Sequence, residues 1–442
     1  AIWIMATNPA VSMPDADRVR AAVAGCEFTV VSDMFADTDT AACADLLLPA
    51  TGWGEKDGTV TNSERRISRQ RAFLEPPGEA RGDWWIITEV ARRMGFSDAF
   101  EYASPADIFR EHAALTAFEN NGSRDLDLGA LADLDDAAYA TLAPVQWPAP
   151  AGGAGGRLFA DGGFFTPDGR ARLLPLEPRP PANAPDQAYP LRLNTGRIRD
   201  QWHTMTRTAR APRLNSHLPE PFVQVHPADA VGRGLVDGAL ARLTSPWGSM
   251  LARVAVDADQ RPGSLFVPMH WSDALAREAR ADALVNPALD PVSGQPEFKH
   301  TPVGIKAFAP AWQGFLLSRE RLSLDDLAYR VEIRGNGCWR YELAGEDPVT
   351  DWPARARELV GAQGEWLDYR DASGGRYRGA RLDAGRLSAC LFVAPDHELP
   401  GRGWLAGLFG GEPLDAPARM SLLAGRPALS LIHISEPTRP KR

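Results

Sequence analysis

Four cysteines in 442 residues are too few for a disulfide scaffold. Cys26, Cys43, Cys338 and Cys390 form no CxxC or CxC pair, so the ligand spacing of a zinc or iron–sulfur site is missing. They read as small buried hydrophobes. No apolar run reaches the roughly 18 residues that a membrane-spanning helix needs. Positive charge is in deficit, with 48 Lys plus Arg against 57 Asp plus Glu and a net charge of -9, which argues against bulk nucleic-acid binding. There is no GxSxG, no phosphate-binding P-loop and no paired Cys/His nucleophile pattern. His203, His217, His226, His270 and His300 show no metal spacing. At the first residues, Ala1-Ile2-Trp3-Ile4-Met5, no initiator Met and no leader pattern stands.

What is present is an ordinary globular composition, 44% hydrophobic and 24% charged, long enough for about two to four domains. Residues 1–147 read as an α/β domain. Ile2–Met5, Phe28–Ser32 and Leu46–Leu48 are strand candidates. A helix capped by Asp15 runs to Ala24, and another spans Trp84–Met94. Strands alternating with helices imply a parallel sheet, which binds ligands beyond the carboxyl ends of its strands, where Asn8 and Asp33 fall. Residues 148–187 read as linker plus a hairpin over Phe159–Leu176. Residues 188–308 read as barrel-like, with strands at Leu191–Leu193, Phe222–Val225, Ala239–Thr244, Met250–Val256 and Ser264–Val267. His226-Pro227 marks a structural strand-to-helix corner. Residues 309–428 read as a smaller β-rich region of open role, with Trp339–Leu343, Trp366–Asp371 and Tyr377–Leu382 as strands. The fold class is therefore α/β plus β-barrel.

Three stretches carry chemistry. Residues 191–215 hold six Arg and one Asp in an otherwise acidic chain. There a strand leads into Thr195-Gly196-Arg197 and then Gln201-Trp202-His203-Thr204, which offers many donors and little bulk. That composition suits a phosphate-bearing, polar heterocyclic ligand. Trp53–Arg66 is a second polar, glycine-rich loop after the third strand. Val285–Lys299 is a third, turn-rich segment. No residue type or spacing names a catalytic acid, base or nucleophile.

Read together and in order, Thr7-Asn8-Pro9, Val31-Ser32-Asp33, Ala44–Pro49, Trp53–Arg66, Thr195–Thr206 and Asn286–Lys299 resemble the C-terminal half of bis-molybdopterin-guanine-dinucleotide oxidoreductases, in particular the assimilatory nitrate reductase catalytic subunits. The resemblance implies a parallel-sheet domain holding one dinucleotide and a barrel-like molybdopterin dinucleotide-binding domain reaching across two. Position by position it implies cofactor contacts from Asn8, Ser32, Asp33, Lys56 and Asp83. In the barrel half it implies contacts from Thr195, Gly196, Arg197, Gln201, Trp202, His203, Thr204, Asn286 and Lys299. An Asn that the family often carries eight positions before the Asp290-Pro291 turn is Asp282 here.

The same resemblance implies molybdenum as bis-molybdopterin guanine dinucleotide. It places a [4Fe–4S] cluster and the molybdenum ligand before Ala1, and in some members a [2Fe–2S] domain follows a region like 310–427. It implies nitrate as substrate, an electron-donor protein or reductase subunit as partner, no nucleic acid, no membrane and a cytoplasmic location. On this reading 429–442, which resembles sequencing-adapter read-through, belongs to no fold, and the chain is a fragment inactive alone. Two alternatives stay open. One is formate dehydrogenase or another branch of the same oxidoreductases, and the other is a non-catalytic nucleotide- or cofactor-binding protein.

Overall fold

The computed structural model describes residues 1–153, 156–175 and 177–427. Residues 429–442 and Leu176 lie outside the described residues. The chain divides into two interleaved units. The first takes residues 1–7, 28–36 and 44–179, and the second takes 8–27, 37–43 and 180–442.

In the first unit the short apolar runs become β1 (Ile2–Met5), β2 (Thr29–Asp33) and β3 (Leu46–Pro49). They pair in parallel in the order β1-β2-β3, with Ile4 opposite Val31 and Val31 opposite Leu47. The β-branched run Gly58–Thr61 forms β4, which pairs antiparallel with β5 (Arg66–Gln70). Part of the expected Trp53–Arg66 loop is therefore strand. A two-residue β6 (Val145–Gln146) adds to β5. Helices occupy Asp83–Arg93 and Pro105–Ala117. Ile67, Phe109, Leu128 and Tyr139 make this unit's local core. The hairpin expected after Phe159 forms only a turn, in which the Phe164 amide donates to the Gly169 carbonyl at 3.0 Å; no strand is assigned over residues 159–175. Most side chains there are exposed, so no buried face fixes a strand register.

The second unit contains the helix Ala16–Ala24. Asp15 precedes it as expected but does not cap it through its side chain, because its backbone is left-handed at φ 52° rather than extended. Arg280, 4% exposed, ties this segment to the rest of the unit. It donates to the Ala10 carbonyl at 2.9 Å, pairs with Asp273 at 2.7 Å and also pairs with Asp17.

The barrel-like prediction is met by a closed six-stranded barrel of β7 (Leu191–Gly196), β8 (Phe222–Val225), β9 (Leu240–Thr244), β10 (Ser249–Val256), β11 (Ser264–Pro268) and β12 (Thr301–Ala307). The order is β10-β8-β11-β7-β12-β9. Alternate residues of these strands, among them Leu191, Leu193, Val223, Val225 and Leu265, point into one core. His226 caps the short helix Pro227–Val231, accepting from the Ala228 amide at 3.2 Å.

Beyond the barrel, β13 (Trp312–Ser318), β14 (Tyr329–Arg334), β15 (Trp339–Gly345), β16 (Glu365–Asp371), β17 (Arg376–Asp383) and β18 (Arg386–Ala394) form one antiparallel sheet, ordered β14-β15-β13-β18-β17-β16. Both faces are covered. Leu316, Tyr341 and Leu391 pack toward Val360, whereas Phe315, Leu317 and Phe392 pack toward Leu405, Phe409 and Leu422. Inside this region Glu342, 1% exposed, takes Arg340 at 2.7 Å and Arg402 at 2.6 Å. Burial pushes its carboxyl up, but the two guanidiniums outweigh that and hold it below the usual range. All four cysteines are free; Cys338 and Cys390 are buried. Among the described residues no helix is long and apolar enough to cross a membrane.

Candidate functional site

In the first unit the polar residues cluster after the parallel strands. Ser32 is fully buried at the end of β2, and its hydroxyl accepts from the Trp3 indole at 2.8 Å. Asp33 ends β2, with Oδ1 accepting from the amides of Met34 at 2.6 Å and Phe35 at 3.4 Å. Burial pushes its carboxyl up against those two bonds, and the charge of Asp83 adds to the rise. Oδ2 is the oxygen that a ligand donor could engage. Lys56 reaches Asp83 at 3.2 Å, where Asp83 opens the helix Asp83–Arg93. Asp83 Oδ1 is buried without a hydrogen-bond partner.

In the second unit the arginine-rich stretch leaves β7 as a loop held from behind. His270 is fully buried. Its Nε2 accepts from the Ile198 amide at 2.9 Å, so its Nδ1 carries the proton donated to the His203 carbonyl at 2.7 Å. Burial holds the His270 ring below the usual imidazole range. His203 is lowered too, by burial first and then by Arg197 and Arg207. Both rings are therefore neutral at pH 7. His203 and Met205 adopt left-handed backbone at φ 44° and 60°, with the His203 carbonyl held by His270.

Arg197 lies 4.8 Å from the Trp202 ring, whose edge meets the His203 ring at 4.6 Å. Among the described residues Arg197 has no carboxylate partner, so its guanidinium is available to a ligand anion. Gln201 is 4% exposed and bonds weakly to Asn215 at 3.3 Å, leaving its own Oε1 unpartnered. Thr204 accepts from Asn8 Nδ2 at 3.2 Å and shares a hydrogen bond with Thr206 at 2.9 Å. Asn8 in turn accepts from the Thr40 hydroxyl at 2.7 Å. The structure thus brings Asn8 and Thr204 together across 196 positions of sequence.

Thr195, Gly196, Asn286 and Lys299 build the floor of the loop. The Thr195 hydroxyl donates to the Phe298 carbonyl at 2.9 Å, and Lys299 donates to the Thr195 carbonyl. A Cβ on Gly196 would stand 2.6 Å from the Phe266 ring, so any larger residue forces that ring to shift. Asn286 is fully buried, with Nδ2 donating to the His300 carbonyl at 2.7 Å and Oδ1 accepting from the Ala288 amide at 3.0 Å. That amide is occupied in holding its own segment. Asp282 is buried nearby with Oδ1 unpartnered; burial lifts its carboxyl to about 7 against the pull of Lys299 and Arg280.

Sequence reasoning did not single out Thr40, Thr206, Arg210 or the role of His270. The polar run Asp37-Thr38-Asp39-Thr40 was a visible signal. His270 gave none, because what it grips lies about 70 residues upstream.

Residues 1–93 match the family described as molybdopterin oxidoreductase, and residues 191–302 match the molydopterin dinucleotide binding domain. The chain belongs to the molybdopterin oxidoreductase family. The chain is 45% identical to a nitrate reductase of Klebsiella oxytoca over 96% of its own length and 48% of the relative's. It is 35% identical to the assimilatory nitrate reductase catalytic subunit of Bacillus subtilis over 67% of this chain and 41% of that one. It is also 36% identical to the F420-dependent formate dehydrogenase subunit alpha of Methanocaldococcus jannaschii, over 69% of this chain and 43% of that one. The chain thus spans about half or less of these relatives. Among solved structures, acetylene hydratase from Pelobacter acetylenicus shares the fold at a TM-score of 0.54 and 19% identity, covering 69% of this chain and 44% of that one.

The donor set fits a molybdopterin dinucleotide. Arg197 offers an unpaired cation, Trp202 an exposed aromatic surface, and Gln201 and Asp83 buried oxygens that lack protein partners.

Proposed function

We propose that this chain is the cofactor-holding C-terminal half of a molybdenum enzyme that reduces nitrate to nitrite. The observation that carries the reading is the pinned loop from Thr195 to Thr206, with Arg197 unpaired above Trp202, in a chain nearly half identical to a nitrate reductase along almost its whole length. When bound, bis-molybdopterin guanine dinucleotide supplies oxygen-atom transfer, in which nitrate takes up two electrons and two protons and leaves as nitrite and water. This chain's residues bind and orient that cofactor. Arg197 offsets pyrophosphate charge, and neutral His203 presents a ring nitrogen without adding charge. Asp33 and Ser32 recognise a nucleoside end, with Lys56 held beside them by Asp83. Thr195, Gly196, Gln201, Thr204, Asn286 and Lys299 shape the barrel side.

Electrons would arrive through iron–sulfur clusters, a [4Fe–4S] and, as in some members of the family, a [2Fe–2S], from a donor protein or reductase subunit in the cytoplasm. On its own the 442-residue chain should show no turnover, because the resemblance puts the molybdenum ligand in the half it does not span. The test is the holoenzyme with reduced methyl viologen. Nitrite production supports the reading. Formate oxidation with oxidised methyl viologen as acceptor, without nitrate reduction, would move it to the formate dehydrogenase branch, which the Methanocaldococcus relative represents. In the same holoenzyme, Arg197→Ala should lower molybdenum occupancy severalfold; unchanged occupancy would sink that role.

A further inference from the structure

The region after the barrel has so far only a packing role, yet it reaches a polar cavity. That cavity, of about 270 Å³, is lined on one side by Asn8, Thr204 and Arg210, and on the other by Arg321, Arg334 and Trp339. The last two come from β14 and β15 of the C-terminal sheet, and Arg321 comes from the segment before them.

The charges do not cancel. Arg210 pairs with Asp37, which also lies 3.8 Å from Arg321. Arg321 donates to Glu332 at 2.8 Å. Arg334 has no carboxylate partner among the described residues. Three guanidiniums thus face two carboxylates in the lining, a surplus of one positive charge. The Arg334 guanidinium sits 4.6 Å from the centre of the Trp339 ring and that of Arg321 sits 5.5 Å from it, so the indole restrains both. A guanidinium held this way presents a flat fork of donors. Such a fork grips an oxyanion with two parallel hydrogen bonds, and the single surplus charge matches a monoanion better than the mostly dianionic phosphate. The hydroxyls of Thr38, Thr204 and Thr206 add donors of no charge.

We propose that Arg321, Arg334 and Trp339 form a recognition wall for a small planar monoanion of the nitrate and formate class, contributed by the C-terminal sheet to the cavity that holds Asn8 and Thr204. This rests on the oxyanion-reducing reading for its choice of ligand, but not for the existence of the wall. The wall would collect the anion beside the cofactor-contact residues and select it by shape and charge.

Formate is the probe, because its single proton reports saturation transfer from the protein by NMR. With the 442-residue chain, transfer to formate is expected, displaced by nitrate and not by a tenfold higher concentration of inorganic phosphate. Arg334→Gln should weaken formate binding at least fivefold without unfolding the chain, since that side chain is exposed and unpaired. Arg386→Gln removes an equal charge from an exposed position outside this cavity and should leave binding intact. Transfer that persists in Arg334→Gln and in Trp339→Leu overturns the proposal, as does displacement by phosphate ahead of nitrate. Nitrate turnover by the holoenzyme with an unchanged KM in Arg334→Gln would overturn the wall and leave the nitrate reductase reading standing. Loss of formate binding in that variant, in a holoenzyme that does not reduce nitrate, would do the reverse.

Discussion

His270 holds the His203 carbonyl at 2.7 Å through Nδ1 while its other ring nitrogen accepts from the Ile198 amide at 2.9 Å. One buried ring thus closes both ends of the loop that carries Arg197, Gln201 and Trp202. Replacing it with alanine should cost about 2–4 kcal/mol, from lost packing and two unsatisfied backbone groups. Calorimetric melting of His270→Ala would measure it. The native bond pattern needs the neutral ring. Its folded pKa lies below the unfolded value of 6.5, so the stability it contributes is complete above that value and declines as pH falls beneath it. Melting temperatures between pH 7.5 and 5.5 should fall more steeply for the native chain than for His270→Ala.

Asp282 behaves oppositely. Its carboxyl is raised from 3.8 to about 7 by burial. Below pH 3.8 both folded and unfolded forms are protonated and nothing is lost. Between those values the unfolded chain ionises first, so stability falls as pH rises, by roughly 2–4 kcal/mol in all. Asp282→Asn should therefore raise the melting temperature, by a margin that grows from pH 4 to pH 7 and then levels off. A margin independent of pH would contradict this.

Gly196→Ala places a methyl group 2.6 Å from the Phe266 ring in the mouth of the barrel. The overpacking should cost about 1–3 kcal/mol. Phe266→Leu in the same chain should recover part of it. Urea titrations of the single and double variants would show that coupling.

Asn8→Ala removes a donor to Thr204 and an acceptor for both the amide and the hydroxyl of Thr40. The Thr40 amide is left without a partner, and the Thr40 and Thr204 hydroxyls each lose one bond while keeping another, so about 1–3 kcal/mol should be lost. Asn8→Asp keeps the acceptor and loses the donor, so it should rescue the Thr40 side only. Amide hydrogen exchange at Thr40 separates the two variants: it should quicken in Asn8→Ala and stay slow in Asn8→Asp.

The parallel strands and five of the six barrel strands were legible as short apolar runs, alternating or bounded by Gly and Pro, whereas β12 (Thr301–Ala307) was not. The C-terminal sheet was only half legible. Trp339–Leu343, Trp366–Asp371 and Tyr377–Leu382 alternate and are legible, whereas Trp312–Ser318 and Arg386–Ala394 are buried on both faces and carry no period of two. The arginine-rich loop announced itself through composition. Its support did not, since Asn8 and His270 reach it across 196 and 67 positions. A distance of that kind is set by topology, which local sequence does not encode.

The interleaving of the chain has a practical consequence. Residues 8–27 and 37–43 belong with everything after Pro180, although 136 residues of the other unit, 44–179, lie between them in sequence. A piece beginning at Pro180 would keep every barrel strand and still lack Asn8, Thr40 and Asp17. Arg280, at 4% exposure, would lose the Ala10 carbonyl and the Asp17 carboxylate at once. Cutting by sequence order would leave Arg280 with Asp273 alone of these three partners, so the barrel half depends on segments from earlier in the chain. Any transplant of the barrel and its arginine-rich loop onto another scaffold must bring the crossover segments with it.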